Sequence, residues 1–174
     1  MLKGAFIAWL ADIRFYATIA PVLLRLHFIY NIRELDMIVA LDHIAIAVPD
    51  LSAAIKRFME DFGLTYSGSE DVASAKTSTA FFPLPNTSIE LIHPLNGEGP
   101  VAAFLEKKGG GLHHLCFRSD DLDADVARLK GLGYRFLADE PSLGAHNCRV
   151  IFIHPKSCDG VLIELNQPAA DGHH

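Results

Sequence analysis

Four residues whose side chains bind metals or move protons recur here at matched intervals: His43 and Glu90, then His114 and Glu164. Each histidine opens an apolar run, "HIAIAV" or "HLCF", and each glutamate sits inside one, "SIEL" or "LIEL". The His-to-Glu separation is 47 residues in the first pair and 50 in the second. Two imidazoles and two carboxylates form a mixed nitrogen–oxygen shell suited to divalent cobalt, nickel, zinc, manganese or iron. The carboxylates balance a dication and reduce the cost of burying the cluster, while water in the remaining positions leaves room for a substrate. A lone strand histidine is more often packed core than ligand, and a lone glutamate among apolar residues usually turns to solvent. Four such residues at equivalent places call for a common cause.

That cause is an internal repeat. The segment "LDHIAIAVPDLSAAIKRFMEDFGLTY" (41–66) matches "LHHLCFRSDDLDADVARLKGLGYRF" (112–136) at an offset of 71 residues. Leu41 aligns with Leu112, His43 with His114, Asp50 with Asp121 and Ile55 with Val126. Each half opens with a short β-type run and continues into a helix pattern with an acidic residue at its start and glycine at its end. Further apolar runs follow, closing on "TSIELIHPL" and "GVLIELNQP". The fold class expected is α+β, two tandem βαβββ modules, about 38–97 and 112–168. The linker, 98–111, ends in "EKKGGG", whose glycines precede a strand rather than open a helix, so it reads as flexible and not as a phosphate-binding loop. Modules paired about a pseudo-twofold axis would bring His43, Glu90, His114 and Glu164 to one centre.

The doublet "HH" at 113–114 sharpens this. Side chains alternate faces along a strand, so only one of the pair can look inward. His114 aligns with His43, whereas His113 aligns with Asp42. His113 is therefore expected on the other side of the sheet, and His113→Ala is expected to spare metal retention that His114→Ala abolishes.

Composition narrows the class. The 174-residue chain is half hydrophobic with a formal net charge of -6. No basic patch interleaved with aromatics is visible, which argues against a nucleic-acid partner. Cys116, Cys148 and Cys158 show no CxxC spacing and read as reduced thiols of an intracellular protein. Residues 1–36 are apolar but broken by Asp12, Arg14, Pro21 and Arg25, too short in any run for a membrane span. They read as an N-terminal extension, with a mitochondrial presequence as the alternative, and residues 169–174 read as a flexible tail. The expected compartment is the cytoplasm, or the mitochondrial matrix if 1–36 is a presequence.

Over roughly 38–168 the chain resembles the methylmalonyl-CoA epimerase family of the vicinal oxygen chelate superfamily. The resemblance rests on "LDHIAIAVPDL", "IELIHPL", "FLEKKGGGLHHLCF", "EPSLGAH" and "IFIHPKSCDGVLIELNQ". It implies a single vicinal oxygen chelate domain over 37–168, with a cupped mixed sheet around one divalent metal, cobalt first among the candidates. It also implies an acyl-CoA substrate, a homodimer, and a 1,1-proton transfer interconverting (2R)- and (2S)-methylmalonyl-CoA. His43, His114 and Glu164 become metal ligands, Glu90 fills a position held by Gln or Glu, and Glu164 doubles as the base.

The second acid–base group departs from the pattern. Relatives carry an "EQG"- or "EHG"-like turn, or a strand glutamate, where this chain has Ser74, Ala75, Lys76 and Thr79. No carboxylate falls between Asp71 and Glu90, which leaves Glu90 or a bound water for the role. Lys156 and Arg149 read as contacts for a substrate carboxylate or coenzyme A phosphates, or equally as solvated loop charges. Alternative functions are a glyoxalase I-like lyase or isomerase acting on a thiol adduct, and a metal-free small-molecule binding module.

Overall fold

The computed structural model describes residues 38–169, so the N-terminal extension and the last residues of the tail lie outside the described residues. Its elements are β1 (Ala40–Ala47), α1 (Leu51–Glu60), β2 (Gly68–Val72), β3 (Thr77–Pro83), β4 (Ser88–Pro94), α2 (Pro100–Lys108), β5 (Gly111–Arg118), α3 (Leu122–Gly131), β6 (Ser142–Leu143), β7 (Arg149–Ile153) and β8 (Ile163–Gln167). All eight strands form one mixed sheet in the order β2-β3-β4-β1-β5-β8-β7-β6. The two βαβββ halves are thus mirrored in the strand order, as a pseudo-twofold relation between repeats requires.

The repeat is visible in each helix. Asp50 caps α1 by accepting from the Ala53 backbone N–H at 2.9 Å, and Asp121 caps α3 from Ala124 at 3.0 Å. Each cap satisfies a donor the helix itself cannot, worth about 1 kcal/mol. One face of the sheet is covered twice in the same way. Ala54 of α1 joins Ala80, Phe82 and Leu91, while Leu122, Val126 and Leu129 of α3 pack on Ile151, Ile153 and Leu165. With both outer flanks sealed by apolar packing, the opposite face of the sheet is left for chemistry. Among the described residues no helix is long and apolar enough to cross a membrane.

The linker contains a helix that the sequence reading missed. α2 occupies 100–108, with Pro100 in its first turn, and Val101 packs with Ala45, Ala47 and Ile92 on the open face of the sheet. Gly109 ends it in the left-handed region at φ 75°, the αL stop that glycine provides. Gly110 has φ +132°, and a Cβ there would come within 3.0 Å of the Ala47 carbonyl oxygen. Gly109 therefore serves as the helix stop and Gly110 as the point of close approach between the end of α2 and β1, so the run is not a loose tether. Gly110→Ala should destabilise the fold by about 1–3 kcal/mol from backbone strain and crowding, read as a lowered denaturation midpoint.

Candidate metal centre

The central pair of strands, β1 and β5, runs antiparallel with His43 opposite Cys116 and Ala45 opposite His114. Moving one member of each pair forward 71 residues and the other back 71 returns the same register, so the pairing is its own mirror image. The parallel neighbours extend both rows: Glu90 of β4 lies beside Ala45, and Glu164 of β8 lies beside Cys116. Ala45 and Cys116 are small and fully buried, so the longer histidine and glutamate side chains meet over them.

Three of the four expected residues come together. His43 Nε2 lies 3.2 Å from His114 Nε2, and Glu164 Oε2 lies 2.8 Å from His114 Nε2 and 3.9 Å from His43 Nε2. His43, His114 and Glu164 are each 6% exposed. Glu90 stands on the other side of the His43 ring, with Oε1 3.4 Å from Nδ1. The cluster opens into a cavity of about 610 Å³ that also presents Ile92, Val101, Val150, Phe152 and Leu162. That is the size range of small-molecule sites, with mostly apolar walls around a few polar groups.

The expectation for His113 is corrected. In the β1–β5 register, Asp42 falls between the paired Leu41 and His43, and His113 falls between the paired Leu112 and His114. These equivalent bulges break the two-residue alternation and re-aim both side chains. Asp42 Oδ2 accepts from His43 Nδ1 at 3.1 Å and from Asn166 Nδ2 at 2.8 Å. His113 Nδ1 lies 2.8 Å from His114 Nδ1, its ring packs against Phe104, and it lines the cavity. Each central histidine therefore has its Nδ1 engaged by the residue before it, which aims Nε2 into the cluster. Such partners fix the tautomer and direction of a metal-binding imidazole.

The electrostatics follow from burial and from these contacts. Burial alone would push Asp42 up, but hydrogen bonds from His43 and Asn166 outweigh it and hold the carboxyl below its usual value. Burial would push His43 down; the Asp42 hydrogen bond and the Glu90 and Glu164 charges outweigh it and raise His43 to about 9. Burial raises Glu90 to about 7, against the pull of His43 and with added repulsion from Glu164. Burial, then the charge of His114, lowers His113 to about 4, so it faces His114 as a neutral imidazole. Without a bound cation, His43 supplies positive charge to a group of carboxylates.

The donor set fits a divalent cation. His43, His114 and Glu164 offer ligand atoms all within 4.8 Å of one another. Asp42, His43 and Cys116 form a second group of that size, but burial and the Glu164 and Asp42 charges hold the Cys116 thiol protonated well above its usual value. Asp42 is moreover already engaged by His43 and Asn166, so the two-histidine, one-carboxylate group is the better site.

Of the two readings open for Lys156 and Arg149, the structure favours charges outside the cavity. Arg149 is held by Asp123 at 2.7 Å and by Gln167 at 3.3 Å, and neither Arg149 nor Lys156 lines the cavity. The cations that do line it are Lys76, paired to Glu98 at 2.6 Å, and Arg118. Thr79 is buried and faces the cavity; Ser74 also lines it and donates to the Leu143 carbonyl at 3.0 Å.

Fold and site together define the class. Residues 42–152 match the model of the glyoxalase/bleomycin resistance protein/dioxygenase superfamily, to which the chain belongs. Within it, the chain is a member of the methylmalonyl-CoA epimerase family. It is 45% identical over 133 residues to ethylmalonyl-CoA/methylmalonyl-CoA epimerase of Cereibacter sphaeroides, covering 75% of this chain and 99% of that one. Among solved structures, methylmalonyl-CoA epimerase of Mycobacterium tuberculosis shares 37% identity at a TM-score of 0.73, covering 77% of this chain and 91% of that one. The Streptomyces coelicolor enzyme in complex with 2-nitronate-propionyl-CoA shares 33% identity at a TM-score of 0.74, covering 77% of this chain and all of that one.

Proposed function

We propose that this protein is a metal-dependent epimerase that interconverts (2R)- and (2S)-methylmalonyl-CoA by moving a proton at C2. The observation that carries this reading is the His43–His114–Glu164 cluster, buried at the floor of a cavity large enough for an acyl group. The kinship to named epimerases, one of them bound to an acyl-CoA analogue, supports the substrate class. His43, His114 and Glu164 would hold the cation, Glu90 would have to swing past the His43 ring from its place at Nδ1 to serve as the fourth ligand, and cobalt is, by resemblance, the first candidate. When bound, a divalent cation supplies a Lewis acid for the negative charge that develops on the thioester oxygen. Glu164 takes the C2 proton, and a group on the opposite face of the carbon returns one. We place the protein in the cytoplasm as a homodimer.

The direct test supplies metal-loaded protein with pure (2R)-methylmalonyl-CoA and separates the epimers after reaction. An equilibrium mixture of both is expected. Persistence of the single epimer, with turnover instead of a thiol–oxoaldehyde adduct, would favour the glyoxalase-type reading.

Two consequences can be measured on the metal site. Asp42→Ala removes the carboxylate that orients His43 and should weaken metal affinity about 10- to 100-fold without changing stoichiometry, as measured by competition with a chromogenic chelator. Metal uptake must also displace the His43 proton. Because His43 sits at about 9, binding between pH 7 and 9 should release about one proton, and affinity should fall about tenfold per unit as pH drops through that window. Below about 7 a second proton, from Glu90, should join it. Calorimetry in buffers of different ionisation enthalpy reads this count.

A further inference from the structure

An epimerisation at C2 needs proton carriers on both faces of the carbon, and the turn where relatives are expected to carry a glutamate has none here. The 3-10 turn Ala73–Ala75 presents Ser74 to the cavity, and Thr79 follows on β3. Besides His43, His114, Glu164 and Glu90, which the metal reading takes up, the cavity is lined by Asp42 and His113, which back His43 and His114, and by Lys76, which is paired with Glu98. His146 has a different setting. It comes from the second module, yet its ring stacks on Phe81 of β3 in the first, with centroids 4.4 Å apart. Its backbone N–H donates to Glu70 Oε2 on β2 at 3.0 Å, and its Nδ1 lies 3.5 Å from the same oxygen. Phe81 is registered opposite Glu90, so the imidazole stands outward of Glu90, on the β3–β2 side of the cup that it helps to line. Glu164 lies on the β8 side, with β1 and β5 between.

The backbone gives an independent sign. His146 and Asn147 both adopt left-handed conformations, at φ 53° and 56°. Asn adopts this region at little cost, but a histidine there is uncommon, and such conformations collect at functional sites. Here this backbone turns the imidazole into the cavity while Glu70 fixes its orientation.

We infer that His146, positioned by Glu70, is the acid–base group facing Glu164 across the substrate. This rests on the epimerase reading. In one direction Glu164 removes the C2 proton, the C–H electron pair passes into the enolate, and the His146 imidazolium donates its Nε2 proton to the other face of C2. Glu164 is left protonated and His146 neutral; solvent then resets both, and the reverse reaction exchanges their roles. His146 is 44% exposed at the mouth of the cup, where that exchange with water is open.

The test is His146→Gly, since glycine adopts the left-handed backbone freely and keeps the N–H bond to Glu70. Inversion should fall 100-fold or more, with metal content and melting temperature preserved. Added imidazole should restore much of the rate, saturating with concentration. In deuterated water the epimer that Glu164 deprotonates should still exchange its C2 hydrogen faster than it inverts, while the other epimer does not exchange. Glu70→Gln, which leaves the ring in place, should lose about tenfold with the same one-sided exchange, and decides the matter if the glycine variant does not fold. Inversion within threefold of wild type would overturn the assignment, as would equal loss of exchange from both epimers unrelieved by imidazole. A wild-type protein that neither inverts nor exchanges would instead sink the epimerase reading itself.

Discussion

Glu164→Gln is expected to reduce epimerisation by roughly 10³-fold or more, beyond what loss of metal affinity alone would produce. Glutamine keeps the length and the oxygen of glutamate but gives up the charge and the basicity. Glu164 Oε2 lies 2.8 Å from His114 Nε2 and 3.9 Å from His43 Nε2, so one side chain serves both the cation and the proton. At 6% exposure no water can readily take its place. The variant should still bind metal at saturating concentration, through the two imidazoles, yet fail to exchange the C2 hydrogen of the epimer that Glu164 serves. Rapid mixing with excess metal and isotope wash-out from each epimer separately reads both quantities. A variant that regains full rate at high metal would assign Glu164 to the metal alone.

His114→Ala should act one step earlier. It deletes the central donor of the cluster, 3.2 Å from His43 Nε2, and strips Glu164 of its shortest contact. A buried carboxylate without that partner is costly, and the cation loses a third of its best donor group. Metal content after gel filtration should drop from about one per chain to near zero, with activity at background. Elemental analysis of the purified variant measures this directly. His113→Ala should fall between this and wild type, about 10- to 100-fold in affinity, because His113 faces His114 Nδ1 at 2.8 Å. Strand alternation alone predicts no effect there, so the pair of variants separates the two descriptions of the doublet.

What the sequence made legible was whatever the repeat duplicates. His43 and His114 could be matched because β1 and β5 pair in a register that the repeat maps onto itself, and Glu90 and Glu164 followed from their flanking strands. The bulges at Asp42 and His113 were hidden because a bulge inserts one residue without any compositional mark, and face assignment by twos fails from that point. The α2 helix was hidden for a different reason. It is a nine-residue helix, PVAAFLEKK, followed by glycines that resemble a tether in one dimension, whereas in three Gly109 caps the helix and Gly110 packs against β1. Least legible was the Glu70–His146 contact, 76 residues apart and without a repeat partner. A turn histidine announces nothing until the curled sheet brings its two edges together. For Lys156 and Arg149 the sequence left substrate contact and solvated loop charge equally open, and the fold turns Arg149 to Asp123 and leaves Lys156 exposed, both outside the cavity lining.

In the proposed reaction, the cup built on His43, His114 and Glu164 exchanges the C2 proton of an acyl-CoA with the aid of a divalent cation. The most direct measurement incubates the metal-loaded protein with (2R)-methylmalonyl-CoA in deuterated water and follows C2 by NMR while resolving the epimers. The expected result is deuterium at C2 in step with formation of the (2S) epimer, abolished by a chelator and restored by cobalt, manganese, nickel or zinc. Retention of the C2 proton and of a single epimer with every one of these metals would contradict it.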